Sequence, residues 1–243
     1  MVYEANGQVS LGISKIQMVH KADSREWDRK RTLIMLCVLL PILCAGVYSS
    51  RLFYENIFRL SHSQVSKSLA GSPTQCKSLK DCQLMPGDIL IRRYVTSRTW
   101  AIDRFGHPFF THSAFYLGDN QIVEAVGSEE NSAEDIQIAM FSKSDWLNSD
   151  IESFVVFRPK YLGNGLLNIQ NSLVQIANDP EYRFGLPQFG YKQTTCADLI
   201  FGQLQSEHMI QATKVPYLLT PDYLFFTLLI DVDGFKIIGH NEL

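Results

Sequence analysis

Apolar and polar positions change their spacing several times along the chain, and each change predicts an element. The first apolar block is LIMLCVLLPILCAGVY, residues 33–48, with no charge and no polar face. An amphipathic surface helix does not look like this. With the flanking Thr32 and two serines, it nears the roughly 18–20 residues that cross a bilayer. It predicts a transmembrane segment or a signal core over 33–49. Residues 50–83 are rich in Ser, Lys and Gly, lack a strong period, and read as a tether.

From Leu84 the apolar runs become short and are bounded by turn residues. Pro86-Gly87-Asp88 turns into a strand over Ile89–Tyr94, and HSAFYLG from His112 is a second strand. Asp119-Asn120 is a two-residue hairpin centre that leads into a third strand, QIVEAV. FVVFRP at 154–159 is a fourth, and GFKIIG near the end a fifth. Between these last two, apolar residues at 166, 167, 169, 173, 174, 176 and 177 mark one face of a helix. CADLIFGQLQSEHM, from Cys196, is a second helix. TPDYLFFTLLID is a third, with Thr220 as N-cap and Pro221 in its first turn. The order of elements predicts an α+β domain over 84–243, an antiparallel sheet packed against helices.

Composition sets the class. A chain of 243 residues, 46% hydrophobic, has material for one good core and appendages. The formal net charge is −3, without a long basic stripe, which argues against nucleic-acid binding. Residues 1–32 carry six Lys/Arg against four Asp/Glu, so the +2 leader leaves −5 for the rest. The leader is basic up to Arg31, and positive-inside counting places it in the cytoplasm with the C-terminal domain exported. Leu43 before Cys44 is not the small residue that a lipid-attachment site needs.

The cysteines extend this picture. Cys37 and Cys44 lie in the apolar block. Cys76 and Cys82, in CKSLKDC, are spaced for a small-loop disulfide in an exported domain. No histidine sits beside them at ligand spacing, so zinc is set aside. Cys196 is left over, and an unpaired cysteine in an exported domain is a candidate reactive thiol.

Its neighbours suit that role. In TTCADLI, Thr195 followed by Asp198 fits a capping box, which puts Cys196 at the first helical position. Unpaired N–H groups and the positive end of the helix dipole favour a thiolate there, and they can hold an oxyanion. The same stretch also suits a buried cysteine packing a helix on a sheet. Of the six histidines, His112 is placed to help, because it opens a strand that can face a helix N-terminus. His107, in a loop, suits structural or gating work. Glu124, an acid within an apolar strand across the hairpin from His112, is the candidate to orient the imidazole. A solvated strand carboxylate is the alternative. Tyr182 and Phe184, just before the helix, are the candidates for substrate contact.

Taken in order, MPGDILIR, THSAFYLGDNQIVEAVG, YRFGLPQFGYKQTTCADLI and TPDYL resemble the permuted papain-like amidases, the YiiX/YaeF-like branch of the NlpC superfamily. The resemblance covers about residues 84–230. Ala197 and Asp198 replace the Ser-Glu that commonly follows the cysteine. It implies a circularly permuted papain-like fold in which His precedes Cys. Carried over by position, Cys196 is the nucleophile, His112 the general base and Glu124 the orienting acid. The implied activity is a thiol hydrolase cleaving an amide or ester acyl bond of a peptide or acyl-lipid substrate, with no metal or organic cofactor. A lipid acyltransferase of the same fold, like the lecithin–retinol acyltransferase relatives, and a non-catalytic ligand-binding domain are the alternatives.

Overall fold

The computed structural model describes residues 35, 37–46, 58–94, 108–126, 136–147, 151–161, 163–185, 192–211, 216 and 218–241. The chain divides into two compact units, Met1–Glu55 and Asn56–Leu243.

In the first unit, residues 37–46 form helix α1. At 1.5 Å per residue that stretch rises about 15 Å, roughly half the thickness of a hydrocarbon core. Pro41 lies within it and has no N–H to give to the helix. Among the described residues no helix is long and apolar enough to cross a membrane. This corrects the transmembrane helix expected over 33–49. Composition made the apolar block continuous, but the helical residues described in it, 35 and 37–46, are too few to span.

The second unit is built on a six-stranded sheet. Its strands are β1 (Ile89–Tyr94), β2 (His112–Gly118), β3 (Gln121–Ala125), β4 (Ile136–Met140), β5 (Ile151–Pro159) and β8 (Phe235–His240). Their spatial order is β4-β3-β2-β1-β5-β8, and every neighbouring pair is antiparallel. Two short strands, β6 (Tyr182–Phe184) and β7 (Lys192–Thr194), pair in parallel beside it. The helices are α2 (His62–Leu69), α3 (Asn164–Asn178), α4 (Cys196–Ser206) and α5 (Pro221–Ile230). The α+β architecture with an antiparallel sheet agrees with the sequence pattern.

Both faces of the sheet are covered. On one face Ile89, Ile91, Phe115, Val123, Val155 and Phe157 meet the helices in the main core. On the other, Leu90, Ala114, Ile122, Phe154 and Val156 form a smaller cluster with Leu79, Phe141 and Trp146. Those last three stand on 3-10 turns. Burial on both sides explains why β1 reads as a continuous apolar run instead of an alternating one.

The turn residues act as their chemistry requires. Asp119 and Asn120 take positive φ values of 48° and 61°, the two-residue turn that matches strand twist. At Gly87, φ is +97°, and any Cβ would run into the Leu166 side chain. Asp88, the last residue of the same turn, is buried and receives Arg158 Nε and Nη2, each at 2.7 Å. That bidentate pair ties the start of β1 to β5.

Four elements were not assigned from the sequence pattern. Helix α2 lies in the stretch that reads as a tether. It starts at a full capping box, Ser61 with Gln64, and sends Val65 and Leu69 into the main core. Strand β4 follows an acidic, polar segment, and β6 and β7 are only three residues each. Cys76 and Cys82 are bonded, with their Cα atoms 5.0 Å apart. The bond lies against Gly239 of β8, where a Cβ would collide with both sulfurs.

Candidate active site

The site is assembled where α4 begins against the start of β2. Thr195 is the N-cap of α4, and its Oγ1 accepts the Asp198 N–H at 3.2 Å. The Leu199 N–H goes to the Thr195 carbonyl. The reciprocal half of the expected capping box is replaced: Asp198 Oδ2 instead accepts from Thr194 Oγ1 at 3.5 Å. Cys196 is the first helical residue, 7% exposed and not in a disulfide. Its N–H and that of Ala197 have no hydrogen bond among the described residues, so the positive end of the helix is open at the sulfur.

Register places the partners. Phe115 pairs with Val123, which sets Ala114 opposite Glu124 and leaves His112 and Glu124 diagonal on one face. Arg92 of β1 is directly opposite His112, and Gln137 of β4 directly opposite Glu124. His112 Nε2 and Glu124 Oε2 are 2.8 Å apart. Trp146 Nε1 donates to the same oxygen at 2.8 Å, and Gln137 Nε2 donates to Oε1 at 3.0 Å. Both carboxylate oxygens are engaged, so Glu124 is fixed rather than solvated. The indole ring also lies 5.5 Å from the imidazole, centroid to centroid.

His112 links the two faces of the sheet. Glu124 and Trp146 are on the side of the smaller cluster, whereas Cys196 belongs to the main core. As the first residue of its strand, His112 bonds to Glu124 through Nε2 and acts on the Cys196 thiol electrostatically. Ser113 also lies close enough to favour the thiolate, although its buried Oγ makes no hydrogen bond.

The electrostatics follow from these contacts. Burial alone would push His112 down, but its hydrogen bonds to Cys196 and Glu124 outweigh it, and the imidazolium is held up to about 9. Burial would raise Glu124, yet the His112 and Trp146 bonds and the nearby Arg92 charge take it down to about 2. Burial also opposes ionisation of Cys196, but the His112 hydrogen bond and charge prevail and lower its pKa. Each member of the His112–Cys196 pair thus favours the charged form of the other.

The structure brings Cys196, His112 and Glu124 together. It also adds Trp146, Gln137, Ser113 and Arg92, which sequence reasoning did not single out. Arg92 and Gln137 follow from strand register, and β4 was not predicted. Trp146 stands on a 3-10 turn with no periodic signal. Tyr182 and Phe184 pack at the edge of the main core, and Lys192 Nζ lies 5.5 Å from the Tyr182 ring. His107 and the polar segment after β3 lie outside the described residues.

A cavity of about 300 Å³ adjoins Trp146 from the side of the disulfide loop, lined by Leu79, Lys80, Leu147, Ile151 and Phe154 among others. None of Cys196, His112 and Glu124 lines it. Among the described residues, no group of three His, Cys, Asp or Glu side chains is placed to hold a metal ion. No family model and no curated protein matches the sequence.

Proposed function

We propose that the Asn56–Leu243 unit is a thiol-dependent acyl hydrolase acting on an amide or ester, with Cys196 as nucleophile. The observation that carries this reading is the His112 imidazole, set against the Cys196 thiol on which it acts electrostatically and bonded to a carboxylate whose two oxygens are both engaged. A carboxylate that merely balanced surface charge would not need three donors, one of them the buried Trp146 indole. The resemblance to permuted papain-like amidases supports the same assignment, as does the His-before-Cys order. The Cys76–Cys82 disulfide supports placing this unit in an oxidising, extracytoplasmic compartment.

The chemistry balances as follows. The Cys196 thiolate attacks the carbonyl carbon and forms a C–S bond, while the carbonyl π pair moves to oxygen. The Cys196 and Ala197 N–H groups face that oxyanion. Collapse breaks the bond to the leaving nitrogen or oxygen, which takes its proton from the His112 imidazolium. Water then attacks the thioester, His112 accepts the water proton, and the acid leaves with the thiol restored. Glu124 holds the imidazole orientation and favours its protonated form.

An activated acetyl ester, p-nitrophenyl acetate, tests this directly. The full chain should release a burst of about one nitrophenolate per molecule and gain one acetyl group on the peptide that contains Cys196. Cys196→Ser should abolish both. Acetylation spread over other residues, or a burst that survives in the variant, would remove Cys196 from this role and leave a ligand-binding domain as the better account.

A further inference from the structure

Beside His112 stands a buried cation, two of whose guanidinium nitrogens have no hydrogen-bond partner among the described residues. Arg92 is 4% exposed. Its Nε and Nη1 are buried and have no hydrogen-bond partner among the described residues. The guanidinium carbon lies 4.0 Å from the centroid of the Trp146 ring and 4.0 Å from that of Tyr94. Aromatic rings thus occupy the stacking positions, and what remains for polar recognition is the edge with its N–H groups.

Among the described residues no group takes Nε or Nη1. Glu124 is within electrostatic reach, but its oxygens already accept from His112, Trp146 and Gln137. Asp145 and the Cys196 sulfur also act on Arg92 through charge, and neither makes a hydrogen bond to Nε or Nη1. Burial is the largest influence on this group and lowers its pKa to about 10, still far above neutrality, so it remains a cation. Buried donors on a charged group are costly when their hydrogen bonds go unmade. Its neighbour in sequence shows the ordinary solution: Arg93 gives Nε to Glu152 at 2.7 Å and Nη1 to the Phe109 carbonyl at 3.1 Å.

Position decides what the edge is for. Arg92 is the cross-strand partner of His112, and both side chains lie against Trp146. It therefore sits beside the imidazole on the face of the smaller cluster, within electrostatic reach of the Cys196 sulfur. We propose that Arg92 is a substrate-binding residue, and that the acyl group transferred to Cys196 carries a free carboxylate which its guanidinium edge receives. This rests on the thiol chemistry proposed above and narrows its substrates to acidic acyl donors. A guanidinium donates well to a carboxylate, and binding one supplies a partner for donors that have none among the described residues. A lysine at this position would keep the charge but lose the fork and the stacking.

Two alkylating reagents that differ only in charge provide the test. Iodoacetate carries a carboxylate; iodoacetamide is its neutral amide. Rates at Cys196 of the full chain are read by mass spectrometry of the peptide, and the acid-to-amide rate ratio is compared with that of free glutathione. The expected ratio is at least about tenfold above glutathione. In Arg92→Gln it should fall to within a few-fold of it, with Arg92→Lys in between. A wild-type ratio equal to that of glutathione, or one unchanged in Arg92→Gln, would overturn the proposal while leaving the thiol nucleophile intact. Failure of both reagents to modify Cys196 would remove the nucleophile itself. Should the variants not fold, the wild type still decides. Succinate, and not succinamide, should slow the iodoacetamide reaction at millimolar concentration; equal effects of the two would contradict the carboxylate site.

Discussion

At the scale of single residues, the site turns on how Glu124 is used. A lone acid in an apolar strand reads equally as a solvated side chain or a catalytic partner, and sequence leaves both open. The structure separates them, because a buried carboxylate with three donors has no solvent to trade with. The consequence is measurable as a pH dependence of stability. Glu124 is lowered from 4.5 to about 2, so its contribution is present above about pH 4.5 and is lost as pH falls towards 2. In urea titrations the gap between the wild type and Glu124→Gln should therefore be largest above pH 5 and close below it. A gap that stays constant from pH 6 to pH 3 would mean that this carboxylate is not held as an anion. His112 runs the other way: raised from 6.5 to about 9, its contribution is full below 6.5 and lost as pH rises through 9. Ionisation of Cys196, whose pKa is lowered, acts in the opposite direction and offsets part of that loss.

At the scale of elements, what was legible depended on whether a local rule sufficed. The Asp119-Asn120 hairpin, the Thr220-Pro221 helix start and the Thr195 cap each depend on neighbours in sequence, and each forms as its pattern demands. Strand β4 and helix α2 depend on distant partners. β4 takes its place by pairing with β3, and α2 by burying Val65 and Leu69. Asp222 shows the same dependence. From the first turn of α5 it accepts the N–H groups of Leu60, Phe109 and Phe110 at 2.7–2.8 Å. It thus fixes both the approach to α2 and the segment that enters β2 two residues before His112. The Cys76–Cys82 bond was readable from spacing, but its seat on Gly239 of β8 was not. Closing a loop of this size stabilises by about 2 kcal/mol in the chain-entropy account. Cys76→Ser/Cys82→Ser should lower the unfolding free energy in urea by about that amount, and dithiothreitol should have the same effect on the wild type alone. No change with reductant would show that the bond does not constrain the unfolded chain.

At the scale of the whole molecule, one sheet with both faces covered explains why the site is where it is. The helices on the main-core face deliver the sulfur; the turns on the other face deliver Trp146; and His112, at the open end of β2, reaches both. The order of motifs along the chain was visible in the sequence, but Arg92 and Gln137 appear only once strands are in register. The apolar block near the N-terminus taught the reverse lesson, since hydrophobicity counted along the chain gave a span that no helix reaches among the described residues. The central claim is that Cys196 and His112 form a thiolate–imidazolium pair. The most direct measurement is the ultraviolet thiolate absorbance of the full chain titrated from pH 4 to 10, with Cys196→Ser subtracted to isolate this sulfur. The account predicts that Cys196 ionises well below the free-thiol value of about 8.5, and that His112→Ala moves the transition up by more than one pH unit. A Cys196 that ionises at or above 8.5 in the wild type, with no response to His112→Ala, would contradict it.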